Sequence, residues 1–202
     1  MKIGLAISGA SGLILGLKCL KLLAELGHEI YLVVTKDACR AAVYELSKEF
    51  HHPQAFIDAL PSEHRSRVRL YNVQDFCSPL ASGSCGIDKT LIVPCSMASL
   101  AAIACGLSDN LLRRMADVAL KERKTLVIVP REAPFSAIHL QNMLRLSELG
   151  ATIFPPMPSW YIKTQSLEEM EDVIVLRILQ VLGIEAALRP WMEEYQERIQ
   201  FT

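Results

Sequence analysis

The chain has 202 residues, 51% hydrophobic and 21% charged, which is enough apolar material for one sizeable core and too little length to expect two. A formal net charge of -1 leaves no basic excess of the kind a nucleic-acid surface needs. The longest apolar runs, such as Leu5 to Ile7 and Thr125 to Val129, are strand-sized and fall far short of the roughly 18 residues of a membrane span.

Lys2 to Ser8 is an apolar run that predicts a buried strand. Gly9-Ala10-Ser11-Gly12 follows it without the small-residue cleavage pattern of a secretory signal, so a cytoplasmic protein is expected. Gly12 to Leu26 has helical periodicity through Leu13, Leu17, Leu20 and Leu23, and stops at Gly27. Glu29 to Val34 predicts a second strand and Lys36 to Ser47 a second helix. This β-α-β-α opening implies a parallel sheet covered by helices on both faces.

The middle is less regular. Phe50 to Pro61 predicts a short helix or loop, Arg67 to Tyr71 a strand, and Ser78 to Gly86 an ordered loop rich in Ser, Gly and Pro. Thr90 to Val93 resumes a core strand and Ser96 to Cys105 is a helix of small residues. Asp109 to Lys121 predicts an amphipathic helix with Asp109 as its cap. Then come a strand at Thr125 to Val129, a helix from Ser136 to Leu149 stopped by Gly150, and a short strand at Thr152 to Phe154. Pro155-Pro156-Met157-Pro158 is a stiff loop, since each proline fixes its own φ and restricts the residue before it. Ser166 to Leu182 is the last long helix, with Ser166 as cap and Glu169 at the capping-box position. One α/β domain over residues 1–184 is expected, followed by a tail, 185–202, that is helical and packs on a neighbouring subunit.

Six cysteines (19, 39, 77, 85, 95, 105) form no C-x-x-C pair, and five histidines show no ligand-like spacing, so no metal site is expected. The apolar neighbours of the cysteines point to reduced, structural thiols.

Two turns and one charged cluster carry the chemistry. Gly9-Ala10-Ser11-Gly12 sits between the first strand and first helix, where small residues let backbone N–H groups approach a phosphate or a flat ring. It is not a full G-x-G-x-x-G fingerprint, and tight packing alone also selects glycine there. Pro94-Cys95-Ser96-Met97-Ala98-Ser99-Leu100 repeats the arrangement, with Ser96 and Ser99 able either to cap the helix only or to hold a phosphate as well. Arg114 and Lys121 are seven residues apart and share one helix face, and Arg131-Glu132-Ala133-Pro134 follows a strand directly. A phosphorylated substrate needs such cations, and a glutamate beside them can handle a proton. Arg123 and Lys124 read as solvated surface charges, while spacing alone singles out neither Tyr161 nor Arg177.

Six segments together resemble the UbiX-type flavin prenyltransferases, within the wider flavoprotein group that includes phosphopantothenoylcysteine decarboxylase. They are Ile7-Ser8-Gly9-Ala10-Ser11-Gly12, Ala81-Ser82-Gly83-Ser84, Pro94-Cys95-Ser96, the A-D-V-x-L-K-E-R stretch from Ala116 to Arg123, Val129-Pro130-Arg131-Glu132-Ala133-Pro134 and Gln165-Ser166-Leu167. The resemblance implies a Rossmann-like, flavodoxin-type α/β subunit in a homododecamer with each active site between subunits. It implies FMN bound by Gly9, Ala10, Ser11, Thr35, the turn Ser96, Met97, Ala98 and Ser99, and Arg114. It also implies dimethylallyl phosphate bound by Lys121, Arg131, Glu132, Tyr161 and Arg177, with Ser11, Glu45 and Glu132 as catalytic residues and Trp191 near the prenyl pocket. The implied reaction joins the dimethylallyl group to N5 and C6 of reduced FMN without a metal, and supplies prenylated FMN to a partner decarboxylase of quinone synthesis or aromatic acid breakdown. Thr35 adds a methyl group where relatives usually have serine, and Met97-Ala98 replaces polar or glycine residues. The alternative within the wider group is an FMN-dependent decarboxylase of a cysteine-derived carboxylate. Such enzymes typically place a histidine near the flavin, and no histidine occupies the helix after Gly12.

Overall fold

The computed structural model describes residues 1–185. The apolar runs form strands β1 (Lys2–Ile7), β2 (Glu29–Val34), β3 (Val68–Tyr71), β4 (Lys89–Cys95), β5 (Thr125–Pro130) and β6 (Thr152–Ile153). They pair in the order β3-β2-β1-β4-β5-β6, and every pair is parallel. Parallel strands covered on both faces must be apolar throughout, and β1, β2, β4 and β5 are buried along almost their whole length. The register aligns Ile3 with both Ile30 and Lys89, so the strands finish level and their carboxyl ends make one edge.

The helices in chain order are α1 (Leu13–Glu25), α2 (Lys36–Glu45), α3 (Gln54–Asp58), α4 (Ser62–Arg65), α5 (Met97–Ala104), α6 (Leu111–Lys121), α7 (Ala137–Glu148) and α8 (Leu167–Val181). Two cores result. Leu13, Leu20 and Leu23 of α1, Ala38 and Ala42 of α2, Phe56 of α3 and Ile178 of α8 pack on one face of the sheet. Leu100 of α5, Leu112 and Met115 of α6, and Leu146 of α7 pack on the other. This is the doubly wound Rossmann-like arrangement expected from the sequence. Its order reverses between β1 and β4, the position at which such sheets open a ligand crevice beyond the strand ends.

Several local expectations are corrected. The cap of α6 is Asn110, not Asp109: Asn110 is extended and its side-chain oxygen accepts from the Arg113 amide at 3.0 Å. Asp109, one residue further out, instead binds the Arg113 guanidinium at 2.6 Å. Ser166 caps α8 as expected, but Glu169 accepts from the Gln165 amide rather than closing back on Ser166. The segment between α2 and β3 holds a one-turn 3-10 helix at Lys48–His51 and then α3 and α4. The Ser78–Gly86 loop contains two short 3-10 turns, Pro79–Ala81 and Gly83–Cys85. The tail beyond residue 185, including Trp191, lies outside the described residues. Among those residues no helix is long and apolar enough to cross a membrane.

Candidate active site

The two small-residue turns are neighbours because β1 and β4 are. Ser8, at the carboxyl end of β1, is fully buried and fastens them together. Its hydroxyl donates to the Pro94 carbonyl at 3.0 Å and accepts from the Ser96 amide at 2.7 Å, while its own amide donates to Pro94 at 3.1 Å. The first turn then passes close under α2: a Cβ at residue 9 would lie 2.6 Å from Cβ of Asp37, so only glycine fits. Gly12 closes the turn at φ 94°, a left-handed conformation that glycine adopts without strain, and starts α1.

The first amides of α1 already have an acceptor. One carboxylate oxygen of Glu45, from the last turn of α2, takes the N–H of Gly12 at 2.9 Å and of Leu13 at 3.0 Å. Glu45 is therefore held beside Ser11, and its charge sits at the positive end of the α1 dipole. In the second turn Ser96 caps α5, accepting from the Ser99 amide at 3.2 Å and donating to the Ser99 hydroxyl at 3.1 Å. Met97 and Ser99 are buried, whereas Ala98 is exposed at the mouth of the turn. Thr35 plays the matching part at the end of β2: its hydroxyl caps α2 through the Ala38 amide at 3.1 Å. Its own N–H donates to Ile7 at 3.0 Å.

Arg131 and Glu132 join the same edge one strand further along, since the Arg131 amide donates to the Cys95 carbonyl at 3.2 Å. Both side chains are exposed, and Glu132 accepts from the Ala133 amide at 3.1 Å. Tyr161 lies in the one-turn 3-10 helix Trp160–Ile162 of the segment that leaves β6, and is exposed. Arg114, in the first half of α6, donates through Nε to the Ala81 carbonyl at 3.1 Å and pairs with Asp117 at 2.6 Å.

Two residues stand apart. α6 starts beside the carboxyl edge, with the Leu111 amide on the Val73 carbonyl just past β3, and runs back to the start of β5. Lys121 is its last residue, so eleven residues of helix carry it roughly 15 Å toward the amino edge of the sheet. There it pairs with Glu122, and that ammonium holds the Glu122 carboxyl below the usual carboxylate range. Arg177 is exposed on α8 and donates to Gln180 at 3.2 Å. It is five residues before Leu182, whose carbonyl accepts from Lys89 at the amino end of β4. Within one subunit neither cation meets the two turns.

Cys95, beneath the second turn, is fully buried, and that burial pushes its thiol up to about 12 against the opposing effect of Arg113. It stays protonated at neutral pH and acts as packing rather than as a nucleophile. Ser8 and Asp37 are the residues around the turns that sequence reasoning missed. For Ser8 the sequence signalled only a need, since a hydroxyl inside a buried run must find partners, and not which groups would meet it.

A parallel sheet with two small-residue, hydroxyl-bearing turns at its switch point defines a mononucleotide-binding α/β protein. The chain belongs to the Flavoprotein family, whose model matches residues 1–180. It is 47% identical over 182 residues to Flavin prenyltransferase UbiX of Chlamydia trachomatis, covering 90% of this chain and 92% of that one. Among solved structures it is similar to AnUbiX (PadA1) in complex with FMN and dimethylallyl pyrophosphate, with TM-score 0.79, 41% identity, and 93% and 97% of the two chains covered. It is also similar to a dodecameric FMN-dependent UbiX-like decarboxylase from Escherichia coli O157:H7, with TM-score 0.81, 36% identity, and 94% and 98% covered.

Proposed function

We propose that the protein is a flavin prenyltransferase that transfers the dimethylallyl group of dimethylallyl phosphate to N5 and C6 of reduced FMN. The observation that carries this reading is the row of four adjacent strand ends, β2, β1, β4 and β5. In that order they present Thr35, Gly9 to Ser11, Ser96 to Ser99 and Arg131-Glu132 along one edge. The residues fit a flavin mononucleotide: the turns are floored by small side chains, Gly9, Ala10 and Ala98, and carry the hydroxyls of Ser11, Thr35 and Ser96. Reduced FMN supplies the electron-rich ring atoms that accept the prenyl carbons.

The protein's own groups divide the remaining work. Because Glu45 already takes the first amides of α1, the second turn, at the N-terminus of α5, would hold the cofactor phosphate, with Arg114 as an added cation. The first turn is left for the flat ring. Ser11 and Glu45, held side by side, would hold the proton exchanged at flavin N5. Arg131 binds the substrate phosphate, and Glu132 delivers a proton to its departing oxygen. Tyr161 contributes a ring face and a hydroxyl beside the prenyl group. Lys121 and Arg177 complete the phosphate site from neighbouring subunits of a dodecamer, which resolves their distance from the turns within one chain. The single flavoprotein domain of residues 1–184 would thus work in the cytoplasm and pass prenylated FMN to a partner decarboxylase.

The test is anaerobic incubation with reduced FMN and dimethylallyl phosphate, followed by mass spectrometry of the released flavin. The expected product is a flavin heavier by one C5H8 unit. Recovery of unmodified FMN, with cofactor binding intact, would overturn the reading.

A further inference from the structure

A second crevice opens on the same edge of the sheet, over the ends of β2 and β3 and on the far side of Thr35 from the two turns. It is open to solvent and offers about 580 Å³, within the range of small-molecule sites. None of Gly9 to Ser11, Ser96 to Ser99, Arg131 or Glu132 lines it. Its floor is apolar, formed in part by the side chains of Val34 and Leu70, which share one face of the sheet, while the Tyr71 ring turns to the other face and stacks on Tyr31 at 5.9 Å between centroids. Its rim carries Lys36, His51 and His52, and no aspartate or glutamate lines it among the described residues.

The hydrogen bonds of the two imidazoles define what they offer. The Ala55 amide donates to Nδ1 of His52 at 3.2 Å, so the proton of the neutral ring sits on Nε2. Nδ1 of His51 faces the Lys48 carbonyl at 3.1 Å and must be the protonated nitrogen, which leaves Nε2 of His51 as an acceptor in the neutral ring. The rings stand edge to face at 4.5 Å. Lys36 is the first residue of α2, so its ammonium and the positive end of that helix lie at the same rim.

We propose that this crevice binds a small organic phosphate, a phosphomonoester carried on an apolar body. The ammonium of Lys36 and the Nε2–H of His52 donate to ionised phosphoryl oxygens. His51 accepts from the P–OH of the monoanion, a form present near neutral pH because the second phosphate pKa is close to 6. Near pH 6, where about half of a phosphomonoester is the monoanion, the ligand matches all three groups, whereas a carboxylate leaves His51 unmatched at any pH. The Val34 and Leu70 floor would remain bare under inorganic phosphate alone. The proposal does not rest on the prenyl-transfer reading, since no residue assigned to that reaction takes part.

The test uses the full-length, FMN-loaded protein and phenyl phosphate as probe. Diethylpyrocarbonate modifies accessible imidazoles, and peptide mass spectrometry reports each histidine separately. That local readout ignores any phenyl phosphate bound among Arg131 and its partners. Phenyl phosphate is expected to protect His51 and His52 saturably in the millimolar range and to leave His64 and His139, which do not line the crevice, unprotected. Lys36→Ala, an exposed substitution, should raise the half-protecting concentration by about tenfold, while phenol and inorganic phosphate protect far less. Absence of protection at tens of millimolar, equal protection by phenol or inorganic phosphate, or unchanged protection in Lys36→Ala would each overturn the proposal.

Discussion

Ser8 has a small side chain with a large geometric effect, because one hydroxyl sets the spacing of both turns. It bonds two groups of the neighbouring strand end, Pro94 and Ser96, and is itself fully buried. Ser8→Ala would leave the Ser96 amide without its acceptor, a loss of about 1–3 kcal/mol for a buried donor. It would also free the second turn to drift from the first. We expect Ser8→Ala to unfold at lower urea and to bind FMN roughly tenfold more weakly, with Ser8→Thr, which keeps the hydroxyl, recovering the affinity. Titration of the apoprotein with FMN decides it, and equal affinities for all three proteins would mean the turns keep their spacing without the clamp. The turns themselves were visible in the sequence because Gly9, Ser11 and Ser96 follow apolar runs. The clamp was not, because a hydrogen bond across 86 residues leaves no local spacing. Glu45 shows the same limit: the resemblance placed it near the flavin, but only the fold shows it 2.9 Å from the Gly12 amide.

Among the elements, α1 and α8 are joined by charge as well as by Leu20, Leu23 and Ile178. The Lys18 ammonium reaches Glu171 at 2.9 Å, Asp172 at 3.1 Å and the Glu168 carbonyl at 3.2 Å. Burial pulls the pKa of Lys18 down, but its hydrogen bonds and charge interactions with Glu171 and Asp172 outweigh that and leave it raised. A raised lysine pKa stabilises the fold fully below the unfolded value of about 10.5, and that stabilisation is lost as pH rises through the folded value. Lys18→Met keeps the apolar stem and removes the charge, so it should cost about 1–3 kcal/mol at pH 7, between the exposed and the buried limits for ion pairs. The urea midpoints of wild type and variant should converge above about pH 10.5; a gap that stays constant with pH would assign the loss to packing. The long elements were legible because a period of 3.6 in α1 and unbroken apolar runs in β1, β2 and β5 leave few alternatives. The segment between α2 and β3 was not, since α3 and α4 span five and four residues, too few for a period to show. The α6 cap was displaced by one residue because Asp109 and Asn110 are both good caps, and Arg113 paired with the charged one.

At the scale of the molecule, one fact organises the rest: the two turns lie at the carboxyl edge of the sheet and Lys121 at the end of a helix that runs away from it. The subunit also leaves apolar side chains bare, among them Ile138, Leu140 and Leu144 on α7, and Met157 and Trp160 after β6. Bare apolar groups of this kind offer a surface that other chains can cover. An assembly that covers them can bring Lys121 of one subunit to the turns of another, and this arrangement has a consequence that activity in mixed assemblies reads directly. Ala98→Trp fills the mouth of the second turn with a bulky ring at an exposed position and should abolish flavin binding in its own subunit. On the proposed assignment, Lys121→Ala removes a cation from the phosphate site of a neighbour. Each variant alone should be inactive. Co-assembled in equal amounts, half the subunits bind flavin and half supply Lys121, so about a quarter of the sites receive both intact contributions when subunits mix at random. Prenylation should therefore reappear on mixing, measured by the mass of the released flavin. If each subunit used its own Lys121, every site would carry one defect whatever the mixture, and mixing would restore nothing.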